Sequence, residues 1–328
     1  MTGKKRILSG MRPTGPLHLG NWHGALKNWV KMQKEYDCFF FIADWHALTS
    51  DYEKTDSISK YIHEMMIDWL SVDLSPEKST LFIQSHVKEH AELFLILSMI
   101  TPVPWLERNP TYKDQIAQMS SKDLSTFGFL GYPVLQAADI IMYKPFGVPV
   151  GIDQVPHVEI TREISRRFNY LYGNVFPEPK ALLTQTPKIL GLDRRKMSKS
   201  YDNAIYLSDR PEVIADKVSR MITDPQRARK IDPGNPDVCN VFDFHKIYTE
   251  KKVIDQIDKE CRVAEIGCVK CKKIMAQNLI KSLEPVHEKR NYYLSRPELV
   301  DDIIKDGIRK AQIVARRTMK EVRAAVKI

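Results

Sequence analysis

Three features of the sequence predict an α/β chain built on a doubly wound parallel sheet of the Rossmann type. Short continuous apolar runs alternate with stretches of helical period. The runs have the length and composition of strands buried on both faces. A turn rich in glycine and proline joins the first run to the first helix, and in such sheets ligands collect at the carboxyl ends of the strands.

The elements follow in order. Ile7 and Leu8 open a buried strand; Gly10, Pro13, Gly15 and Pro16 turn the chain; Trp22, Leu26, Trp29 and Val30 then recur with a helical period. A His and an Asn, in His18-Leu19-Gly20-Asn21, stand at the start of that helix. This geometry serves either a phosphate, received by backbone N–H groups, or plain packing, and Gly20 leaves room for a flat ligand. The run Cys38–Thr49 reads as a second buried strand, with His46 near its end as a core or a catalytic histidine. Ile58–Leu70 is an amphipathic helix, Thr80–Gln84 a third strand, and Glu92–Ile100 a helix that Pro102 and Pro104 end. In Gly131–Pro145 the carboxylate of Asp139 sits among Ala137, Ala138, Ile140 and Ile141, where it needs a donor, from the protein or from a ligand. Val148–Gln154 is a strand and glycine turn leading into a helix over 157–168.

With 328 residues the chain holds a sizeable core in one large domain or two smaller ones, and its net charge of +9 suits a polyanionic partner. No apolar run reaches membrane-spanning length, and the basic Met1–Arg6 is not followed by the apolar region of a signal peptide. The expectation is a cytoplasmic protein without a membrane span.

Far down the chain stands Lys196-Met197-Ser198-Lys199-Ser200. Alone it reads as a solvated basic loop. Together with His18-Leu19-Gly20-Asn21 it resembles the paired signatures of the class I aminoacyl-tRNA synthetases, and the run Ser9–Asn21 looks most like the bacterial tryptophanyl members. The resemblance covers essentially the whole chain. It implies a catalytic domain over 1–206, with an insertion at about 101–148, and a helical anticodon-binding domain over 207–328. It implies ATP-dependent activation of L-tryptophan, with Mg²⁺ accompanying ATP, transfer to tRNA(Trp), and a homodimer. His18, Asn21, Lys113, Lys196 and Lys199 are then the catalytic residues. Arg12, Pro13, Thr14, Gly20, Asn21, Gly151, Ile152, Asp153, Ile189 and the loop Lys196, Met197, Ser198, Lys199 and Ser200 contact ATP. Leu8, His46, Tyr132, Gln136, Asp139 and Gln154 surround the amino acid, with Asp139 accepting the indole N–H and left unpaired by phenylalanine. Arg12, Gln136 and Ile152 depart from the residues common in the family. A tyrosyl synthetase, a small-molecule nucleotidyltransferase and a non-catalytic paralogue that binds RNA or protein are the rival readings. The Ser9–Asn21 run opposes the first, the lysine loop the second, and the intact signatures the third.

From about Leu207 long helical patterns rich in Lys and Arg dominate. Arg309, Lys310, Arg316, Arg317, Lys320 and Arg323 stud the last helix, as phosphate contacts or as a solvated face. Cys239, Cys261, Cys268 and Cys271 cluster in this part with spacing C-x21-C-x6-C-x2-C. Disulfides are not expected in a reducing compartment, so four thiols suggest a metal site. The pattern resembles, with one residue fewer in the first gap, the [4Fe–4S] motif of a subset of bacterial tryptophanyl synthetases. Zinc is the alternative, and unligated thiols the third reading. Cys38, in an apolar run, is a core residue.

Overall fold

The computed structural model describes residues 3–109, 112, 124–183 and 189–328. The chain forms two units. The first comprises residues 1–15, 28–186 and 296–328, the second 16–27 and 187–295.

The first unit is a five-stranded parallel sheet. Its strands are β1 (Arg6–Met11), β2 (Asp37–Ile42), β3 (Ser79–Ile83), β4 (Gly147–Val150) and β5 (Lys180–Leu183), in the order β3-β2-β1-β4-β5. The order reverses at β1, the feature that opens a crevice at the carboxyl ends of an α/β sheet. β2 from Cys38 and β3 from Leu81 are apolar because both faces are covered, with Phe40 and Phe82 wholly buried. The second strand stops at Ile42, earlier than the apolar run predicts. Asp44–Asp51 is a helix, so His46 stands in its first turn, just past the end of β2.

After the short α1 (Leu19–Asn21), α2 (Lys27–Met32) and α3 (Asp44–Asp51), helices α4 (Ile58–Ser71), α5 (Glu89–Ser98) and α8 (Val155–Tyr172) lie close to the expected spans, α7 (Phe127–Met142) carries Asp139, and a short α6 (Val103–Glu107), not expected, begins beyond Pro102. A π-helical turn, Trp22–Leu26, interrupts the first helical stretch between α1 and α2. Such turns are rare and cluster at functional sites.

The last helix, α13 (Pro297–Val326), returns to the first unit and lies on β3, α5 and α7. Ala311, Ala315, Met319 and Val322 join the apolar core of Phe39, Phe41, Phe82 and Tyr143. The Thr318 hydroxyl donates to the Met142 carbonyl at 2.7 Å. Its basic residues are largely neutralised within the protein. Arg316 pairs with Glu89 and Arg323 with Glu92 of α5, Arg309 and Lys310 pair with Asp306, and Arg317 meets Glu321. Exposed pairs of this kind stabilise weakly. Of the six basic residues, only Lys320 lacks such a carboxylate pair among the described residues.

The second unit is helical: α9 (Pro211–Ser219), α10 (Asn240–Tyr248), α11 (Lys251–Arg262) and α12 (Cys268–Leu294). α12 buries Met275, Ala276, Leu279, Leu283 and Val286, and α9 and α10 pack on it. No helix among the described residues is long and apolar enough to cross a membrane.

Candidate active site

In the first unit the site is built around Asp139 of α7. Its carboxylate is fully buried and accepts from three side chains. Gln84 Nε2 donates to both oxygens at 2.8 Å, His46 Nε2 reaches Oδ2 at 2.8 Å, and His90 Nδ1 reaches Oδ1 at 2.6 Å. Gln84 is oriented by the Trp45 N–H, which donates to its Oε1. On the far side of His90, Nε2 meets the Tyr143 hydroxyl at 2.7 Å. Burial pushes the Asp139 carboxyl up; the hydrogen bonds from His46 and His90 outweigh this and hold it below its ordinary value. A carboxylate accepts only, so the ring nitrogens facing it carry the hydrogens.

Of the two sources of a donor that the sequence leaves open for Asp139, the protein supplies its own for the lone pairs. Gln84, His90 and Tyr143 escaped the sequence reading. Gln84 and His90 lie 55 and 49 residues from Asp139, too far for a local signal, and Tyr143 joins only through His90.

Tyr132, Gln136 and Asp139 are spaced four and three apart and share one face of α7. The Tyr132 hydroxyl and His157 Nδ1 are buried without a hydrogen-bond partner among the described residues, and their rings lie 5.6 Å apart. Arg12, which is exposed, interacts electrostatically with Asp51 and Tyr132. Pro13 is buried, and Thr14, exposed, donates its N–H to the Arg12 carbonyl. Leu8 is buried in the apolar core. Past β4, Gly151 leaves room for Asp153, whose Oδ1 would lie 2.7 Å from an added Cβ. Gln154 donates to Asp153, and Ile152 is 77% exposed. An exposed apolar side chain there is compatible with a contact made through the backbone. Lys113 lies outside the described residues.

In the second unit the two signature stretches come together. His18 and Asn21 form a reciprocal cap: the Asn21 N–H donates to His18 Nδ1 at 3.2 Å and the His18 N–H donates to Asn21 Oδ1 at 3.0 Å. With Nδ1 an acceptor, the neutral ring carries its hydrogen on Nε2. Burial, then the charges of Lys199 and Lys196, lower the His18 pKa to about 4. The ring is therefore a neutral donor at physiological pH. The Leu19 N–H donates to the Ile205 carbonyl, and a Cβ on Gly20 would lie 2.9 Å from His18 Nδ1 and 3.5 Å from Met197 Cβ.

The lysine loop is shaped by Asn203, a residue the sequence reading passed over. It is 2% exposed. Its Oδ1 accepts the Ser198 N–H at 2.8 Å, and its Nδ2 donates to Asp193 and to the Lys196 carbonyl. Ser198 caps the short turn Lys199–Tyr201. Met197 and Ile189 are buried, whereas Lys196 and Ser200 are exposed. The loop thus fixes its backbone and leaves Lys196 outward, as a point charge on a flexible stem must be to follow an anion.

The four cysteines also lie in this unit, with free thiols. Burial, then Cys239, Cys261 and Cys268, push the Cys271 thiol up to about 12. Burial likewise raises Cys239 and Cys261, with other thiols of the group contributing. Arg227 Nη1 lies 3.7 Å from Cys261 Sγ and His245 Nε2 3.4 Å from Cys271 Sγ. Among the described residues no three Cys, His, Asp or Glu side chains are grouped closely enough to hold a single metal ion.

Several buried histidines give an expected pH response. Burial lowers His18, His23 and His157 from 6.5 to about 4. The unfolded chain then binds more protons between those values, so stability is complete above about pH 6.5 and falls as the pH drops towards 4. Melting temperatures across pH 4–7 check this; a flat profile would show that the three rings are not buried neutral.

A parallel sheet with its switch point at β1, together with a capped His-Leu-Gly-Asn turn seated against a Lys-Met-Ser-Lys-Ser loop, defines a class I synthetase-type nucleotide enzyme. Comparison with known proteins agrees. The family described as tRNA synthetases class I (W and Y) matches residues 1–284, and the chain belongs to that family. It is 51% identical to the tryptophan–tRNA ligase of Thermotoga maritima, covering 98% of this chain and 99% of the relative. It is 46% identical to that of Aquifex aeolicus, covering 98% and 100%. Among solved structures, the tryptophanyl-tRNA synthetase of Campylobacter jejuni complexed with ADP and tryptophan superposes with a TM-score of 0.91 at 32% identity, over 98% and 100% of the two chains.

Proposed function

We propose that the protein activates L-tryptophan with ATP and transfers it to tRNA(Trp) in the cytoplasm. The observation that carries this is the buried Asp139 with its three donors, on a chain whose signature turn and lysine loop are both intact. The tryptophan carboxylate attacks the α-phosphorus of ATP, the bond to the bridging oxygen breaks, and pyrophosphate leaves. A terminal ribose hydroxyl of the tRNA then attacks the adenylate carbonyl and AMP leaves. Neither step needs a protein nucleophile, so catalysis is positioning and charge stabilisation. His18 offers Nε2–H, and Lys196 and Lys199 supply positive charge as pyrophosphate separates; Mg²⁺ accompanies the nucleotide.

His46 is 8% exposed, the least enclosed donor on Asp139. The indole N–H reaches Oδ2 by taking over or sharing that position. Tyr132 and His157, each with a buried unpartnered atom, receive polar groups of the amino acid. ATP–pyrophosphate exchange tests the reading: exchange with tryptophan, and none with tyrosine or phenylalanine, is the expected result. Exchange with tyrosine alone would move the specificity, and none with any would leave an RNA- or protein-binding paralogue.

The helical region from 207 onward, in a chain of net charge +9, is the proposed seat of tRNA recognition. A homodimer is proposed through the first unit, supported by the exposed apolar side chains Leu95, Met99, Val103 and Phe127. Light scattering should return twice the chain mass.

Cys239, Cys261, Cys268 and Cys271 are proposed to hold a [4Fe–4S] cluster, with zinc as the alternative. Burial and neighbouring thiols raise Cys239, Cys261 and Cys271, which therefore ionise readily only around a cationic centre, and Arg227 has a buried, unpartnered Nε beside Cys261, an unused donor for a thiolate or sulfide. Such a cluster supplies a rigid cross-link between segments. Anaerobically purified protein should contain about four iron and four sulfide per chain with a broad absorption near 400 nm. One zinc and no sulfide would favour the alternative.

A further inference from the structure

Cys239 is followed directly by Asn240, the first residue of α10 and the point where the four-cysteine site meets the lysine loop. The Asn240 side chain is fully buried. Its Nδ2 donates to the Gly191 carbonyl at 2.7 Å and to the Leu192 carbonyl at 3.3 Å. Those two residues are the stem of the loop. The Gly191 N–H donates to the Arg195 carbonyl at 2.7 Å, and the Leu192 N–H donates to the Asn203 carbonyl at 2.9 Å. Asn203 in turn holds the Ser198 N–H and the Lys196 carbonyl. The stem has no slack, since a Cβ on Gly191 would lie 2.2 Å from Asn203 Nδ2.

We propose that Asn240 is a positioning residue that ties the four-cysteine site to the lysine loop, so that the state of Cys239 sets the placement of Lys196 and Lys199. One covalent step and three hydrogen bonds, through Asn240, Leu192 and Asn203, separate Cys239 from Lys196. The helix start it depends on is buried, and the Cys239 carbonyl accepts the Phe242 and Asp243 N–H groups. Cys239 caps α10 without a side-chain hydrogen bond, and Asn240 Oδ1 is buried with no partner among the described residues. A buried acceptor left unsatisfied is costly, and asparagine is kept here for what its Nδ2 donates. Ligation of Cys239 would pin the first turn of α10, and with it Asn240; loss of ligation frees that turn to fray. The inference rests on the reading of the lysine loop as catalytic and extends the four-cysteine site to adenylation. The hydrogen-bonded path itself is independent of which metal the thiols bind.

The test is ATP–pyrophosphate exchange by the full-length protein carrying Asn240→Ala, Cys239→Ser, or both, with iron content measured alongside. Asn240→Ala should lower kcat by about 10- to 100-fold, the size expected when catalytic groups are displaced by an ångström, with KM for tryptophan unchanged. Cys239→Ser should lower the same parameter, and the double variant should be no worse than Asn240→Ala alone. Both single variants should also be cut faster by trypsin within 194–199. Should Asn240→Ala fail to fold, Asn240→Ser, which keeps a donor, should restore folding and an intermediate kcat. Unchanged kcat in Asn240→Ala or its serine replacement, or losses that multiply in the double variant, would overturn the proposal. Wild-type protein without iron would discard the cluster but not the link, because the non-additive losses are read independently. Wild-type protein without exchange activity would overturn the catalytic reading itself, and with it the role assigned to Asn240.

Discussion

Asn in place of Asp139 should lower kcat/KM for tryptophan in ATP–pyrophosphate exchange by about 10²- to 10³-fold while leaving the binding of ATP nearly unchanged. The substitution keeps the shape and removes the charge. The carboxylate accepts at both oxygens from Gln84, His46 and His90. An amide has one acceptor oxygen, and its NH₂ would then face donors. Removing one side of a buried, hydrogen-bonded charge network costs about 2–5 kcal/mol, a range that contains the stated loss in kcat/KM at about 1.4 kcal/mol per tenfold. The same disturbance lowers the melting temperature, so stability has to be measured with the kinetics. A tryptophan analogue with carbon or sulfur in place of the indole N–H separates the two effects. Wild-type protein should discriminate strongly against it, and the Asp139→Asn variant should not. Equal discrimination in both would show that Asp139 supports the fold without reading the substrate.

The second large effect is on stability. Gly307 of α13 lies against β3 so closely that an added Cβ would sit 1.7 Å from the Leu81 carbonyl oxygen and 2.7 Å from its carbon. Both are backbone atoms of a buried strand, so neither can swing aside. Gly307→Ala should therefore destabilise the first unit by about 3 kcal/mol or more, the upper range of overpacking, although alanine is the better helix former. β3 is the edge strand of the sheet, and α13 is what covers it. Exposing such an edge invites pairing with another chain. The variant should show a lower midpoint in urea and greater aggregation on heating. A wild-type midpoint would mean that α13 does not seat on β3.

Much of this molecule was legible in the residues themselves. The parallel sheet could be read because strands covered on both faces, such as Phe39-Phe40-Phe41, must be apolar at every position. The two signature stretches could be read because their chemistry is local: a cap, a glycine and a pair of lysines within a few residues. Asp139 could be read as a residue in need of donors, since a carboxylate in an apolar helix cannot stand alone.

What those donors are, only the tertiary structure decided. Gln84 and His90 come from past the end of β3 and from α5, and nothing in an apolar or polar pattern says that two such side chains meet a carboxylate on α7. The end of β2 at Ile42 was decided there too, since Ala43–Thr49 is apolar enough for a strand and becomes a helix where the sheet offers no further pairing. Composition left the charged face of α13 as phosphate contacts or a solvated face, and only the fold shows that Glu89 and Glu92 of α5 occupy part of it. Asn203 and Asn240 look like ordinary polar residues in sequence. Their importance lies in buried backbone groups of a distant loop that have to be hydrogen-bonded by someone, and the chain path alone determines by whom.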